Sequence, residues 1–319
     1  MLSQPKAGRD TSRRVAGGPL PITAVILTYN EERNLEAVLQ SLCGWVAQVF
    51  IVDSGSTDAT VAIAERYGAS IVRHPFETHA RQWAWALEYL PCHHDWVLGL
   101  DADQRVTPEL KAEIVQLFTL DAGRLESADG FYVKRRQMFR GRWIRHGGYY
   151  PKYLLKLVRR QRVCIDGADL LDHHFYVSGR TAKLRNDLIE ENKKEDEIAF
   201  WIEKHVRYAA LLAREELIRE VNGSTYPLVP SLLGNPDQRS LWLKRVWSTL
   251  PRYVRPFLYF VYRYLLRLGF LDGKEGLIFH FLHACWFRLL VDIQVDEARA
   301  AAALPNRPRE PLGTKPCAR

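Results

Sequence analysis

The chain has 319 residues, of which 47% are hydrophobic and 26% are charged, and its formal net charge is +8. This balance is typical of a folded protein and excludes a disordered chain, and the length allows one large α/β domain with a smaller module. The positive charge predicts an anionic partner: a nucleic acid, a phosphorylated small molecule or an acidic membrane surface.

The two ends and the cysteines carry little structural signal. Residues 1–20 are basic and lack the apolar stretch of a secretory signal, so we expect a flexible arm. Residues 300–319 are rich in proline and charge, which predicts a disordered tail. The five cysteines have neither metal-ligand nor disulfide-framework spacing, which favours a reducing compartment and a role as small core residues.

Between residues 22 and 118, apolar β-branched runs alternate with helical stretches. The predicted strands cover 22–30, 49–56, 70–74 and 96–103, and the predicted helices cover 31–42, 58–68, 79–90 and 107–118. Such alternation predicts an α/β fold, with a mostly parallel sheet and flanking helices. The strands read as continuous apolar runs, which indicates burial on both faces.

Polar residues follow three of these strands, at 28–31, 53–58 and 101–103. The carboxyl ends of parallel strands meet at one edge of an open sheet, where ligands bind. Asp101 and Asp103 repel each other there unless a cation lies beside them, and Mg²⁺ or Mn²⁺ takes one or two carboxylates plus water and substrate phosphates. The pair therefore predicts a metal site for a diphosphate. Alternatively, one of them caps the helix at 107–118, although Thr107 and Pro108 already supply its start.

The segments "ILTYNEERNL", "VDSGSTDAT" and "LDADQRVTPEL" together resemble the family 2 glycosyltransferases, an inverting group with the GT-A fold. The likeness is close over residues 22 to 118. The segment 129–160 resembles the subset that builds bacterial lipopolysaccharide core and exopolysaccharide, including core β-1,4-glucosyltransferases. The resemblance implies a GT-A, Rossmann-like fold, a metal-dependent hexosyltransferase activity and a nucleotide-sugar donor, with a UDP-hexose favoured.

The resemblance also implies roles at the nucleoside. Thr28 and Tyr29 would line the nucleoside pocket, with Glu31 close by. Asp53 would accept a hydrogen bond from the base. Ser54 stands where the family often has a second aspartate, and the same serine occurs in the lipopolysaccharide subset.

Three further residues are implied at the diphosphate. Asp103 would be the principal metal ligand, and Asp101 would face the ribose or a metal-bound water. Arg81, on the third predicted helix, would reach the diphosphate. The alternative for Arg81 is a solvated helix charge.

Inversion requires a carboxylate as general base on the far side of the sugar. Relatives often have a His-Glu pair within the segment that corresponds to 165–179, and the aligned residues here are Asp172 and His173. Asp172 is the first candidate base and Asp169 the second. His173 or His174 would bind acceptor phosphate or stay structural. A charge run that solvation also explains holds two further candidates, Glu190 and Glu191.

From Phe131 to Ile165 the chain has eleven Lys or Arg residues, no acid, and interleaved aromatic residues. This segment suits an anionic acceptor or an anionic lipid surface. Stacking on RNA is the alternative, but the carboxylate clusters would repel a polyanion, so we predict no nucleic-acid partner.

The last third is rich in aromatic residues. Two apolar segments, 255–271 and 276–295, flank a predicted turn at "DGKE", and charged residues or histidines interrupt both. We predict helices that lie in the membrane interface. The alternative is a helical bundle packed on the catalytic domain.

These expectations combine into four parts: an arm (1–20), a GT-A catalytic domain (21–225), a C-terminal amphipathic helical membrane-associating module (226–299) and a tail (300–319). We predict a cytoplasmic enzyme, peripheral on the inner face of the cytoplasmic membrane, that transfers a sugar to a lipid-linked or lipopolysaccharide-core acceptor for cell-envelope polysaccharide. One alternative is a sugar-phosphate nucleotidyltransferase, which normally has a basic Gly-rich loop where this chain has acidic "TYNEERN". The other is a noncatalytic membrane- or RNA-binding protein.

Overall fold

A computed structural model describes residues 18–167, 169–171, 174–222 and 228–303. Most of the predicted arm, most of the predicted tail, and the candidate residues Asp172 and His173 lie outside the described residues.

The strands of the described part form two sheets. They are β1 (Leu20–Thr28), β2 (Val46–Asp53), β3 (Ser70–Arg73), β4 (Trp96–Asp101), β5 (Gln104–Val106), β6 (Gly130–Phe139), β7 (Arg142–Ile144), β8 (Lys152–Arg159), β9 (Val163–Ile165), β10 (Phe175–Val177) and β11 (Thr181–Glu190). The large sheet has the order β3-β2-β1-β4-β8-β6-β11-β5, with β7 paired to β6, and β9 and β10 form a small antiparallel sheet.

Helices flank the large sheet and dominate the C-terminal third. They are α1 (Leu35–Leu42), α2 (Thr60–Arg66), α3 (His79–Tyr89), α4 (Pro108–Thr119), α5 (Ala122–Glu126), α6 (Ile198–Asn222), α7 (Pro236–Thr249), α8 (Arg255–Val261), α9 (Gly273–His280) and α10 (Phe287–Ala303). Short π-helical stretches, Tyr262–Leu266 and Phe281–Trp286, follow α8 and α9.

The strands β3, β2, β1 and β4 are adjacent and parallel, as the sequence alternation predicts. Their register aligns the three polar segments, because Thr28 lies opposite Asp53 and Leu27 lies opposite Asp101. The prediction that these segments meet at one sheet edge is therefore confirmed.

Beyond β4 the sheet is mixed. β8 is antiparallel to both β4 and β6, β6 is parallel to β11, and β5 is antiparallel to β11. The α/β class with flanking helices is confirmed, and the parallel pairing predicted from the sequence is concentrated in the N-terminal half.

The helix predicted from residue 31 begins only at Leu35. The backbone N–H of Glu31 donates to Thr60 Oγ1 at 2.7 Å, and that of Glu32 donates to Asp58 Oδ2 at 3.1 Å. These bonds tie residues 31–34 to the turn after β2, so the first predicted helical turn is instead a loop at the candidate site.

Two apolar cores cover the two faces of the sheet. Val97 belongs to the core that also contains Trp83 and Phe175. Gly99 faces this same core, because a Cβ added there would lie 2.4 Å from the Phe175 ring. Side chains alternate along a strand, so Asp101 projects to the same face as Gly99.

The C-terminal helices pack on the rest of the chain through α10, which contacts α6 along an apolar seam. A buried ion pair joins Arg255 at the start of α8 to Asp292 of α10, and Arg255 also bonds Glu216 of α6 at 3.1 Å. The predicted turn at 272–275 is misplaced, because Leu268 (φ 58°) breaks the helix and Gly273 already begins α9.

The same helices leave many apolar side chains exposed, and we call this set the apolar ridge. Its members, all large apolar residues more than 40% exposed, are Phe257, Leu258, Val261, Tyr262, Leu265, Leu266, Leu268, Phe270, Leu271, Leu277 and Phe281. The helical run Gly269–Ala302 is long and apolar enough to cross a membrane by length and composition, but 44% of its most apolar window is buried inside the protein. The helices therefore both pack on α6 and present an apolar face.

We predict that Gly99→Ala destabilises the fold by about 1–3 kcal/mol, because the new methyl group overlaps the Phe175 ring. Urea denaturation followed by circular dichroism measures this change. Combining it with Phe175→Leu should restore part of the loss. Equal losses in the single and double variants would contradict this packing.

Candidate active site

The turn after β2 is organised by the buried carboxylate of Asp53. Its Oδ1 accepts from the hydroxyl groups of Thr28 (3.0 Å) and Ser56, and its Oδ2 accepts from the backbone N–H of Gly55 (3.0 Å) and Ser56 (2.9 Å). Four bonds use the acceptor capacity of a carboxylate. Asp53 thus orders the turn, and a hydrogen bond from a nucleobase stays a prediction that requires the exchange of one of these bonds.

The loop after β1 carries the other predicted nucleoside residues. The side chain of Tyr29 is 58% exposed, so it is available to a ligand. Glu31 is partly buried and pairs with Lys194 at 2.6 Å. Lys194 also donates to the backbone carbonyl of Asn30 at 3.0 Å, which connects this loop to the segment before α6.

Asp101, at the end of β4, has a cationic partner. Lys156 of β8 lies 3.1 Å from Asp101 Oδ2, and its side chain is 5% exposed. The buried ammonium group balances the charge of Asp101. The backbone N–H of Asp101 donates to Gln104 Oε1 at 3.2 Å, which fixes the turn between β4 and β5.

Asp103, two residues later, has a different environment. Its carboxylate makes no hydrogen bond or ion pair with any residue in the described ranges. Burial, and then the negative charges of Glu190, Asp101 and Glu31, raises the pKa of Asp103 well above its usual range. Lys204 opposes this shift, but its ammonium group is bonded to Glu195 at 2.6 Å.

Glu190, at the end of β11, is a member of this carboxylate cluster. It accepts from Arg135 Nη1 at 2.9 Å and from Gln104 Nε2 at 2.7 Å. Its neighbour Glu191 pairs with Arg105 at 2.6 Å. The charge run 185–197 is therefore partly a set of specific ion pairs at the sheet edge and not only a solvated surface.

Arg81 lies in the first turn of α3 with an exposed side chain, and it pairs with Glu77 on the preceding turn of chain. In this arrangement it is a surface charge, and contact with a diphosphate stays a prediction. Gln82, the next residue, is buried and donates to Ser54 Oγ at 3.2 Å. The helix therefore reaches the turn after β2 through Gln82.

Asp169, in the segment between β9 and β10, belongs to a buried ionic cluster. Arg219 of α6 contacts three carboxylates there, at 2.7 Å from Asp169, 3.0 Å from Asp166 and 3.1 Å from Glu215. The second oxygen of Asp169 lies 3.2 Å from His174 Nδ1. Both oxygens are thus engaged, which favours a positioning role for Asp169 over that of a general base, and places His174 in a structural contact.

The donor set at the sheet edge fits a hard divalent cation. Asp103 offers carboxylate oxygens without a cationic partner, and Asp101 offers a second carboxylate on the same turn. No group of three or more His, Cys, Asp or Glu residues in the described part is arranged to hold a metal ion. Two carboxylates would leave the remaining coordination positions of a cation such as Mg²⁺ or Mn²⁺ to water or substrate phosphates.

Sequence reasoning missed three residues of this site: Gln104, Lys156 and Arg219. Lys156 had a readable signal, because a lysine between leucines in an apolar strand is a buried cation that needs an acid. Gln104 contacts Glu190, 86 positions away in the chain, and Arg219 contacts Asp169, 50 positions away. No local sequence pattern marks those contacts.

The chain is similar to known glycosyltransferases. Residues 23–176 match the model of glycosyl transferase family 2. This match covers just under half of the chain, and it supports the resemblance to family 2 glycosyltransferases found in the sequence.

Two curated relatives illustrate the likeness. A lipopolysaccharide core biosynthesis glycosyltransferase, LpsC of Rhizobium meliloti, is 25% identical over 90% of this chain and 96% of its own length. An uncharacterized glycosyltransferase of Rickettsia felis is 41% identical over 97 residues, which are 30% of this chain and 34% of the relative. The chain therefore spans about a third of the length of that relative.

A solved structure, that of mannosyl-3-phosphoglycerate synthase from Rubrobacter xylanophilus, is 15% identical with a TM-score of 0.41. The alignment covers 66% of this chain and 77% of that protein.

We predict that Asp103→Asn raises the free energy of unfolding at neutral pH in the presence of a chelator. The unpaired carboxylate disfavours the folded state, and one pKa unit corresponds to about 1.4 kcal/mol. The gain should shrink as the pH falls through the raised pKa of Asp103, since the protonated acid carries no charge. Urea unfolding across this pH range measures it.

Asp95→Asn, at an exposed position just before β4, is the matched control and should change stability by less than about 0.5 kcal/mol. A loss of stability in Asp103→Asn, with Asp95→Asn neutral, would mean that Asp103 has a stabilising partner.

Proposed function

We propose that this protein is an inverting, metal-dependent glycosyltransferase that moves a hexose from a nucleotide sugar, with a UDP-hexose favoured. The acceptor is an anionic lipid-linked or lipopolysaccharide-core saccharide, and the reaction serves cell-envelope polysaccharide synthesis. The observation that carries the proposal is Asp103, a partly buried carboxylate among other acids without a cationic partner, at the ligand-binding edge of a family 2 domain. The name of the relative LpsC supports the choice of acceptor class.

Asp103 and Asp101 would hold Mg²⁺ or Mn²⁺, with Asp103 as the principal ligand. The bound cation would supply positive charge to the leaving nucleoside diphosphate. Lys156 holds Asp101 in position by donating a hydrogen bond to its carboxylate. Gln104 fixes the turn that carries both acids by accepting a hydrogen bond from the backbone N–H of Asp101. Thr28, Tyr29, Glu31 and Asp53 are proposed for the nucleoside side of the pocket.

Asp172 is the proposed general base, with Asp169 as the weaker candidate. The base removes the proton of the acceptor hydroxyl group as that oxygen attacks the anomeric carbon. Asp169 pairs with Arg219, and His174 pairs with Asp169.

We expect Asp103→Ala to lower the slow hydrolysis of nucleotide sugars by about 100-fold or more, because charge on the leaving group is then uncompensated. Purified protein is incubated with a panel of nucleotide sugars and Mn²⁺, and the released nucleoside diphosphate is measured. Glu109→Gln, an exposed acid at the start of α4, is the control and should leave the rate unchanged. Full hydrolysis by Asp103→Ala would refute the metal assignment.

Asp172→Asn should abolish transfer to the acceptor while donor binding stays nearly unchanged, since a base acts only on the acceptor. Equilibrium binding of the nucleoside diphosphate and transfer of radiolabelled sugar to a membrane extract measure the two quantities. Retained transfer would exclude Asp172 as the base.

The proposed cellular position is peripheral, on the inner face of the cytoplasmic membrane. Support comes from the apolar ridge, because large exposed apolar surfaces mark protein or membrane contacts. The helices of residues 226–299 are proposed as the membrane-associating module, and residues 21–225 as the catalytic domain.

We predict that Leu266→Glu with Leu258→Glu lowers binding to vesicles of phosphatidylglycerol and phosphatidylethanolamine by at least tenfold. Each buried leucine contributes about 1.5–3 kcal/mol, and a charge in its place repels the anionic surface. Vesicle flotation measures the bound fraction. Leu120→Glu, at an 80% exposed position after α4, is the control and should bind normally. If the native protein, the double variant and Leu120→Glu all bound equally well, the apolar ridge would not be part of the membrane contact.

A further inference from the structure

A buried carboxylate on β11 is paired with two cations at once. Asp187 is 5% exposed, and its oxygens lie 3.3 Å from Lys134 Nζ and 2.7 Å from Arg136 Nε. Tyr150 adds a hydrogen bond from its hydroxyl group to Asp187 Oδ1 at 3.0 Å. One cation would neutralise this acid, so the cluster keeps one positive charge in excess.

The cluster is also rich in unused hydrogen-bond donors. Arg136 uses Nε toward Asp187, and its guanidinium group lies 5.0 Å from the ring centroid of Trp143. Arg145 lies against the same ring at 5.4 Å. The indole N–H of Trp143 is buried and has no hydrogen-bond partner among the described residues. Lys134 is 20% exposed and Arg136 is 36% exposed, so both are reachable from solvent.

The cluster lies on the face of the sheet to which Asp101 projects. Tyr132 belongs to the core that contains Val97, so Lys134 and Arg136, two and four residues further along β6, project to that same face. Asp101 is placed there by the same alternation from Val97.

The cluster also lies at the height of Asp101 along the strands. Asp101 contacts Lys156 of β8, and Lys134 pairs with Tyr153 of the same strand, three residues nearer the edge. β8 separates β4 from β6, a distance of two strand spacings or about 10 Å. This is the scale of one sugar ring and the bonds on either side of it.

We infer that Lys134 and Arg136, held in place by Asp187 and Tyr150, bind a phosphate group of the acceptor. The inference rests on the proposed function, in which the donor diphosphate lies at Asp101 and Asp103. The buried acid holds two cations side by side against their repulsion, and it leaves the Arg136 amino groups and the Lys134 ammonium group for a dianion. The acceptor hydroxyl group is thereby held about one ring away from the donor phosphates.

The test is binding of phosphate compounds to the full-length protein saturated with UDP and Mg²⁺, so that the donor site is filled. Three probes are titrated: inorganic phosphate, a hexose phosphate and short-chain dihexanoyl phosphatidic acid, and each is followed by ³¹P nuclear magnetic resonance. All three should bind to the native protein. A preference for the hexose phosphate indicates a phosphorylated core sugar, and a preference for phosphatidic acid indicates a lipid-linked acceptor.

Lys134→Gln and Arg136→Gln should each weaken phosphate binding by about tenfold or more, as expected for a lost charge-assisted hydrogen bond. Each single variant leaves Asp187 with one cation, which preserves its neutralisation. Arg105→Gln removes a cation from a one-to-one pair with Glu191 on the same sheet and is the matched control. UDP affinity should be equal in all four proteins.

Unchanged phosphate binding in Lys134→Gln and Arg136→Gln, or no phosphate binding by the native protein, would overturn the inference. Failure of UDP to bind to the native protein would instead contradict the proposed function. The two failures can be told apart, because phosphate binding can also be titrated without UDP.

Discussion

The arrangement of the candidate site depends on a concentration of carboxylates at the carboxyl ends of β1, β4 and β11. Three of these acids have cationic partners: Glu31 with Lys194, Asp101 with Lys156 and Glu190 with Arg135. Asp103 has none among the described residues, and its neighbours make its ionisation unfavourable. A fold that keeps such a group is less stable than it could be, which is the pattern expected of a binding site.

Acids and cations both lie near this edge. The parallel half ends in the acidic turns, and the mixed half carries cations on β6 and β8 together with Asp187 and Glu190 on β11. Lys156 belongs to β8, the strand between these halves, and its ammonium group pairs with Asp101. In the proposed function, the donor diphosphate and the acceptor phosphate would be held apart by the sheet spacing.

The parallel half could be predicted from the sequence because its signals are local. Continuous apolar strands and the polar residues that follow them indicate a parallel sheet and the edge at which Thr28, Asp53 and Asp101 meet. The start of α1 could not be predicted, since hydrogen bonds to Asp58 and Thr60 hold residues 31–34 outside the helix. The Arg219 cluster was also unreadable, because its acids come from a loop and a helix that only the tertiary fold brings together.

The most direct test of this account is the position of the cation itself. Crystals of the protein grown with Mn²⁺ and UDP allow an anomalous difference map at the manganese absorption edge. We expect a peak bonded to the carboxylate of Asp103, with the UDP phosphates completing the coordination. A map in which UDP is bound at the sheet edge and no anomalous peak lies next to Asp103 would contradict the account.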